Sequence, residues 1–176
     1  MHKVKDKYFK TLIPSHDIQA KVVEIADLLN ADYANKNPLL IGVLNGSFIF
    51  LSDLFKCMNI DCEVTFMRVS SYENLRSTGK VTQIIGLKED ITDRHVLIVE
   101  DIVDTGQTLV NVKEQLVKMN PASLKVVTLL NKPDAMLKPL PLDYVGFKIK
   151  NDFVIGYGLD YDGHGRNLVD ICVLAE

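Results

Sequence analysis

A short apolar run that leads directly into two acids and a glycine turn constrains the fold of this chain more than any other feature. Residues 96–99 read VLIV, an unbroken, β-branched run typical of a parallel strand that is covered on both faces. Glu100 and Asp101 follow at once, so we expect them at the carboxyl end of this strand. After residues 104–108 (DTGQT), apolar residues recur at helical spacing until residues 120–121 (Asn-Pro) stop the helix. The apolar residues expected on its buried face are Leu109, Val112, Leu116 and Met119.

Residues 104–108 have the composition of a phosphate-binding loop. Gly106 lets the backbone approach a ligand closely, Thr105 and Thr108 add hydroxyl donors, and the free N–H groups of the new helix carry the positive end of its dipole. The loop matches neither GxxxxGK(S/T) nor GxGxxG, so neither a Walker-type NTPase nor a Rossmann dinucleotide site is indicated. The preceding acids would repel a phosphate unless they face sugar hydroxyls or a bound Mg²⁺, so the pattern favours a sugar phosphate as ligand. The alternative is an acidic strand end followed by an ordinary turn.

Composition and charge narrow the class of protein. With 176 residues, of which 47% are hydrophobic and 24% charged, the chain can fill one core and is short for two domains. The net charge of −3 and a pI near 5.8 argue against nucleic-acid binding. No apolar run approaches a membrane span and no signal-peptide core follows the N-terminal lysines, so a cytoplasmic protein without a membrane partner is expected. The three cysteines, Cys57, Cys62 and Cys172, are odd in number and lie at no recognised metal spacing, so we expect reduced, structural thiols.

A second segment repeats the order of strand, loop and helix. Residues 39–44 (LLIGVL) predict another buried parallel strand, and Asn45, Gly46 and Ser47 follow it before a helix rich in apolar residues. Backbone amides are therefore expected at a second strand's carboxyl end, where ligands bind in α/β proteins. An ordinary tight turn is the alternative. Upstream, Ser15 is the predicted N-cap of a packing helix.

The other segments predict strands and one long loop. Residues 62–69 and 123–130 have strand composition, and the second of them ends just before a lysine. Residues 70–80 are polar and are predicted as a loop, either a lid over a site or a plain solvated connection. Residues 144–149 and 153–160 predict two short strands outside the alternating β/α core, which indicates a small hood.

The order of apolar strand, two acids, two apolar residues and DTGxT at residues 96–108 resembles the signature of the type I phosphoribosyltransferases. The spacing of the other motifs makes the chain similar to the hypoxanthine-guanine members of that family over nearly its whole length. The resemblance implies an α/β fold in which helices flank a mainly parallel central sheet. It also implies a single phosphoribosyltransferase domain over residues 1–176, with a hood built from the N-terminal segment and the region from about 133 to 176.

The resemblance further implies an enzyme of purine salvage. Its substrates would be 5-phosphoribosyl 1-diphosphate and a 6-oxopurine base, hypoxanthine or guanine. Its products would be pyrophosphate and the nucleoside 5′-monophosphate, IMP or GMP. Mg²⁺ is the implied cofactor, and a homodimer or homotetramer is the implied assembly. The preference between the two bases stays open.

By the same resemblance, individual residues receive roles. Asp104 is the catalytic acid or base, and it would lie near the purine N7. The residues implied for the ribose and the 5′-phosphate are Glu100, Asp101, Asp104, Thr105, Gly106, Gln107 and Thr108. The purine would receive a hydrogen bond from Lys132 at its 6-oxygen, stack on Phe153 and have its edge read by the main chain of Val154.

Pyrophosphate is expected to bind Asn45, Gly46 and Arg166. Two departures from the family pattern lie on this side of the site. Family members commonly carry Lys where this chain has Asn45, and they often have an arginine shortly after Lys132, which is missing here. The peptide bond before residue 45 can be cis in the family.

The lid and the metal ligands also follow from the resemblance. Ser71 and Tyr72 match a mobile loop that closes over the reacting centre and excludes water. Glu100 and Asp101 are the implied Mg²⁺ ligands, and Asp160 is expected to help hold a second ion.

Two rival functions remain at this point. One is a phosphoribosyltransferase for another base, such as adenine or xanthine; Lys132 together with Phe153 and Val154 favours an oxopurine over adenine. The other is a regulator that keeps the fold and binds a nucleotide without catalysis. That regulator would be expected to lack Asp104 or to carry a basic face, and the sequence has Asp104 and is acidic overall.

Overall fold

The structure is a computed structural model that describes residues 1–73, 80–137 and 140–175, with the backbone alone for residues 70–73 and 80–85. Its helices are α1 (Ser15–Asp32), α2 (Phe48–Cys57) and α3 (Gln107–Val117), and a short 3₁₀ turn covers Pro133–Ala135. Its strands are β1 (His2–Val4), β2 (Lys7–Ile13), β3 (Leu39–Leu44), β4 (Glu63–Glu73), β5 (Lys80–Ile85), β6 (His95–Val103), β7 (Ser123–Asn131), β8 (Tyr144–Lys148), β9 (Val154–Ile155) and β10 (Ile171–Leu174). Among the helices of this described part, none has the length and apolar composition needed to cross a lipid bilayer.

The larger sheet has the strand order β5-β4-β3-β6-β7-β8. Strands β4, β3, β6, β7 and β8 run parallel to one another, and β5 pairs antiparallel with β4. Because parallel strands end at the same edge of a sheet, the loops after β3, β6 and β7 lie next to one another. The predicted α/β fold with a mainly parallel central sheet and flanking helices is confirmed.

Alternate side chains of the parallel strands fill two cores. Leu97 and Val99 of β6 belong to the core covered by α1 and α2, whereas Val96 and Ile98 belong to the core covered by α3. Side chains alternate between the two faces of a strand, so both faces of β6 are buried. This two-sided burial explains the unbroken apolar run at residues 96–99.

The termini of two helices differ from the prediction. Helix α3 ends at Val117, so Met119 lies beyond it and is 38% exposed rather than part of the buried face. Pro14, not Ser15, is the N-cap of α1, and no side chain caps that helix. Instead, the Ser15 N–H donates to Asp170 Oδ1 at 2.8 Å. A carboxylate that is distant in the sequence therefore does what a local cap was expected to do.

Strand β6 is longer than the prediction. It continues through Glu100 and Asp101 to Val103, so the two acids lie within the strand instead of at its end. The pairing with β7 continues to Val103 and Asn131, and these backbone hydrogen bonds keep the strand extended past the acids. As a result, neighbouring acids point to opposite faces of the sheet.

Strand β4 also extends beyond its predicted end. It runs to Glu73 and pairs antiparallel with β5 from Arg68 to Glu73, where a polar loop was expected. The expected lid residues Ser71 and Tyr72 have their backbone in this strand. Their side chains, like all of residues 74–79, lie outside the described residues.

The smaller sheet, which we call the hood, has the strand order β1-β2-β10-β9 and joins the N-terminal segment to the C-terminal one. Its own small core consists of Phe9, Ile155 and Cys172. Strand β8 was expected in the hood, but it lies in the larger sheet and pairs parallel with β7. The Tyr144 side chain explains this position, because it is buried and its hydroxyl donates to Asp32 of α1 at 2.5 Å.

The second expected hood strand, at residues 153–160, is also shorter than predicted, since only β9 is regular there. Gly156 and Gly158 follow with φ of 96° and 104°, which turns the chain out of the sheet. A Cβ on Gly158 would lie 2.1 Å from the carbonyl oxygen of Gly46. The chain after β9 therefore packs directly on the loop after β3.

Candidate active site

The loop between β6 and α3 forms a small concave site. Gly106 is the N-cap of α3 and has φ of 76°, a left-handed conformation that favours glycine. The first amides of α3 are therefore directed outward, as the sequence predicts for a phosphate cradle. A cavity of about 100 Å³ lies here, and Glu100, Asp104, Thr105 and Thr108 are among its lining residues. Its size and donors suit a single phosphate group.

Glu100 closes the inner side of this cavity. Burial, and secondarily the charge of the neighbouring Asp101, raise the pKa of Glu100 well above its usual value. Its Oε2 atom is buried and has no hydrogen-bond partner among the described residues. A buried oxygen of this kind is costly unless something binds it, so it suits a ligand hydroxyl or a cation.

Asp101 points to the opposite side of the sheet, toward the loop after β3. It is 8% exposed, and burial is the main cause that raises its pKa to about 6, although backbone N–H groups and Arg166 oppose the shift. A Cβ on Gly46 would lie 1.7 Å from Asp101 Oδ2, so a larger residue there would force the Asp101 carboxylate or the loop to move. The two neighbouring acids thus contact different loops. Glu100 lies at the 104–108 loop, and Asp101 lies against the loop after β3.

Asp104 and Lys132 are brought together by the pairing of β6 with β7. Each lies just beyond the end of its strand, and Lys132 Nζ approaches Asp104 Oδ2 at 3.1 Å. Lys132 is 7% exposed, whereas the side chain of Asp104 is 48% exposed. A lysine at a strand end is ordinarily solvated, but here its ammonium group is held at the inner wall and the carboxylate faces outward. A ligand at this edge can reach both groups.

Asp160 and Arg166 form a second ion pair, with 2.6 Å between Asp160 Oδ1 and Arg166 Nη2. Arg166 also donates to the Gly158 carbonyl oxygen at 2.6 Å, and Asp160 Oδ2 accepts from the Gly163 N–H at 2.7 Å. The sequence assigned these side chains to pyrophosphate and to a metal, but the structure pairs them with each other. Both influence the pKa of Asp101, so the pair lies close to the loop after β3.

In the described part of the chain, no group of three or more His, Cys, Asp or Glu side chains could hold a metal ion. The expected ligands Glu100, Asp101 and Asp160 therefore do not form one protein cage. This arrangement still fits Mg²⁺, which usually binds one or two carboxylates, substrate phosphates and water. The unpartnered Glu100 oxygen is the observation that favours such a ligand.

The Phe153 ring is placed by the hood and is 44% exposed. It packs against Phe9 with 6.3 Å between ring centroids and edge-on against Tyr161 at 5.9 Å. Lys7 Nζ lies 4.8 Å from the Tyr161 centroid. Val154 is buried next to it in β9, where it pairs with Val173 of β10. The exposed aromatic face is suited to stacking on a planar ligand.

Sequence reasoning missed the aromatic neighbours of Phe153, because Phe9 and Tyr161 are distant in the sequence and have no local motif.

Sequence reasoning also missed the contact of Arg68 with the loop after β3. The Leu44–Asn45 peptide bond is cis, and Asn45 Oδ1 accepts from Arg68 Nη2 at 3.0 Å. This contact depends on the register of β3 and β4, which places Arg68 opposite Leu44, and no local motif in the sequence predicts that register.

With this geometry in place, comparison with known proteins decides the family. Residues 10–162 match the family model described as the phosphoribosyl transferase domain. The chain belongs to the phosphoribosyltransferase family. Its predicted resemblance to the hypoxanthine-guanine members of that family is confirmed by the relatives it matches.

The similarity extends over nearly the whole length of these relatives. The chain is 44% identical over 169 residues to the hypoxanthine-guanine phosphoribosyltransferase of Streptococcus pneumoniae, covering 95% of this chain and 94% of that protein. It is 40% identical over 169 residues to the hypoxanthine phosphoribosyltransferase of Haemophilus influenzae, covering 94% of each. A crystal structure of a hypoxanthine phosphoribosyltransferase from Staphylococcus aureus superposes with a TM-score of 0.88 at 40% identity, covering 94% of this chain and 91% of that one.

Proposed function

We propose that this protein transfers the 5-phosphoribosyl group from 5-phosphoribosyl 1-diphosphate to hypoxanthine or guanine, releasing pyrophosphate and forming IMP or GMP. The pairing of Asp104 with a buried Lys132 at the mouth of the 104–108 loop is the observation that carries the proposal. The loop fits the 5′-phosphate, and Lys132 and Phe153 provide a donor and a stacking face for a purine. The names of the relatives support the same substrates and a role in purine salvage.

The reaction breaks the bond between the anomeric carbon and a pyrophosphate oxygen and forms a bond from purine N9 to that carbon. The purine loses one proton overall, and we assign its transfer to Asp104, whose carboxylate is half-exposed at this edge and would lie near N7. Lys132 donates to the 6-oxygen, which stabilises the negative charge that the base develops as its proton leaves. The 104–108 loop holds the 5′-phosphate, so that the ribose is oriented for attack. Thr105, Gly106, Gln107 and Thr108 provide its donors.

We propose Mg²⁺ as the cofactor. The chain supplies Glu100, with its unpartnered buried oxygen, and the carboxylates of Asp101 and Asp160 on the pyrophosphate side. When bound, the ion would neutralise part of the charge of the leaving pyrophosphate. The ribose hydroxyls would satisfy acidic oxygens that the ion leaves free.

Ser71 and Tyr72 keep their proposed role in closing the site. Strand β4 pairs with β3 as far as Arg68, and its continuation pairs with β5, so this arm projects beyond the edge where the loops meet. Closure of such an arm would exclude water from the ribosyl cation-like transition state.

We further propose one domain over residues 1–176, a homodimer or homotetramer, and a cytoplasmic location. The free thiols of Cys57, Cys62 and Cys172 support the location, because disulfides accumulate in oxidising compartments.

The test is an absorbance assay of purified protein with 5-phosphoribosyl 1-diphosphate, Mg²⁺ and each purine in turn. We expect nucleotide formation with hypoxanthine, guanine or both, and very little with adenine. Efficient use of adenine alone would identify a phosphoribosyltransferase with another base preference. Tight binding of the sugar phosphate without any turnover would identify a regulator and overturn the proposal.

A further inference from the structure

The pyrophosphate side of the site has a shortage of positive charge. The loop after β3 presents Asn45 where a cation was expected, and Asp101 packs directly on Gly46 of that loop. Arg166 is the cation predicted for this subsite, yet it is neutralised by Asp160 at 2.6 Å. A multiply charged diphosphate is bound more tightly when cationic side chains donate to it in addition to a metal ion.

Arg68 is placed to supply such a donor. Strand β4 runs parallel to β3, and their register sets Arg68 opposite Leu44, the last residue of β3. The Arg68 Nη2 atom donates to Asn45 Oδ1 at 3.0 Å. The guanidinium is thus held against the loop that the resemblance assigns to pyrophosphate.

The side chain of Arg68 also lies on the required face of the sheet. Phe66 is two residues earlier in β4 and therefore points the same way, and its ring lies beside Gly42 together with Leu51 of α2. Asp101 faces this same side of the sheet, because it is two residues after Val99 and four after Leu97, whose side chains point toward α1 and α2. Arg68, Asp101 and the loop after β3 consequently converge on one subsite.

Arg68 is exposed, and no carboxylate of the described residues forms an ion pair with it. The hydrogen bond to the neutral Asn45 side chain leaves the charge of Arg68 uncompensated and uses one of its several N–H donors. The planar guanidinium can bind phosphate oxygens with two parallel hydrogen bonds. An asparagine at position 45 suits this arrangement, because its oxygen accepts from the guanidinium where a lysine would repel it.

We propose that Arg68 is a pyrophosphate-binding cation of this enzyme and that Asn45 is the residue that positions it. The cation is then supplied by the neighbouring strand instead of by the loop itself. This inference rests on the proposed function, since it takes the diphosphate of 5-phosphoribosyl 1-diphosphate as the ligand.

The test uses Arg68→Gln, with Arg94→Gln as the matched control. Arg94 lies at the opposite end of the sheet, where it pairs with Glu63 of β4, so its replacement removes the same charge far from the loop. Binding of pyrophosphate with Mg²⁺, and separately of IMP, is measured by calorimetry. Arg68→Gln should weaken pyrophosphate binding roughly 10- to 100-fold, the usual effect of losing a hydrogen bond to a charged group, while IMP binding changes by less than about twofold. The control should leave both affinities unchanged.

A double-mutant cycle tests the positioning role of Asn45. Asn45→Ala alone should weaken pyrophosphate binding by a smaller factor than Arg68→Gln, and adding it to Arg68→Gln should have no further effect, because its target is already missing. Unchanged pyrophosphate affinity in Arg68→Gln, or an equal loss for IMP, would overturn the role of Arg68, and additive losses would overturn that of Asn45. Failure of the wild type to bind pyrophosphate or form nucleotide would instead overturn the proposed function itself.

Discussion

Replacing Lys132 by methionine separates the binding of the base from the stability of the fold. Methionine keeps an unbranched side chain of similar length in a position that is 7% exposed, so the packing is largely preserved. The partner carboxylate of Asp104 is 48% exposed and can be hydrated once the 3.1 Å ion pair is lost. We therefore expect the free energy of unfolding to change by no more than about 1 kcal/mol.

The effect on catalysis should be much larger than the effect on stability. A hydrogen bond from a charged donor contributes about 1.5–3 kcal/mol. If Lys132 gives such a bond to the 6-oxygen in the transition state, Lys132→Met should lower kcat/KM for hypoxanthine and guanine roughly 10- to 150-fold. Adenine has an amino group at that position and gains nothing from the lysine, so its low kcat/KM should hardly change. The preference for oxopurines, expected at up to about 10⁴–10⁵-fold, should therefore narrow by the same factor.

The assay compares kcat/KM for the three purines in the wild type and the variant at saturating 5-phosphoribosyl 1-diphosphate, with unfolding followed by urea titration. Lys125→Met is the matched control, since Lys125 lies earlier in the same strand, where it approaches the Tyr144 ring at 5.5 Å. An equal loss for all three purines would refute the reasoning, because it would show that Lys132 acts through Asp104 instead of on the base.

Three further substitutions test the acids and the loop after β3. Asp104→Asn should leave the binding of 5-phosphoribosyl 1-diphosphate intact in calorimetry and lower turnover by about 10²–10⁴-fold, as expected for a general acid or base; unchanged turnover would remove Asp104 from the mechanism. Because the pKa of Asp101 is raised from 3.8 to about 6, the folded protein binds this proton more tightly than the unfolded chain, and stability falls as pH rises through that interval. Asp101→Asn should therefore stabilise the unliganded protein at pH 7 by up to about 3 kcal/mol in urea titrations and flatten their pH dependence, and an unaltered slope would contradict this. Gly46→Ala should destabilise the fold by about 1–3 kcal/mol through overpacking, since its Cβ would meet Asp101 at 1.7 Å, and it should weaken pyrophosphate binding; thermal unfolding at the same temperature as the wild type would contradict this.

Local patterns in the sequence were sufficient for the parts of the fold that local physics determines. The bounds predicted for β3 agree with the structure, and those for β7 agree within a residue, because an apolar run bounded by polar residues specifies a strand buried on both faces. The loop at residues 104–108 also followed from composition, because a glycine between threonines just before a helical pattern indicates such a loop, and the structure places Gly106 there as the N-cap of α3. Asp104 is the first residue of that loop, so its position was predicted together with the loop.

The features that the sequence did not predict depend on pairing between strands that are distant in the chain. Strand β8 was predicted in the hood because it lies outside the alternating β/α pattern, but the free edge of β7 and the Tyr144 hydroxyl bond to Asp32 place it in the larger sheet. The burial of Lys132 depends on the relative ends of β6 and β7, and the contact of Arg68 with Asn45 depends on the register of β3 and β4. None of these alignments has a local signature.

The extension of β6 through its acids links stability to the proposed chemistry. If the strand ended before Glu100, both carboxylates could turn toward water, and their ionised forms would carry little desolvation penalty. Pairing with β7 instead holds them in the sheet, on opposite faces, where burial raises the pKa of both. Each acid is thereby poorly solvated in the unliganded protein and interacts more strongly with a cation or hydroxyl that reaches it. The destabilisation expected from Asp101 at neutral pH and the affinity expected for a magnesium-bound sugar diphosphate thus have the same physical origin, a carboxylate held out of water until its ligand arrives.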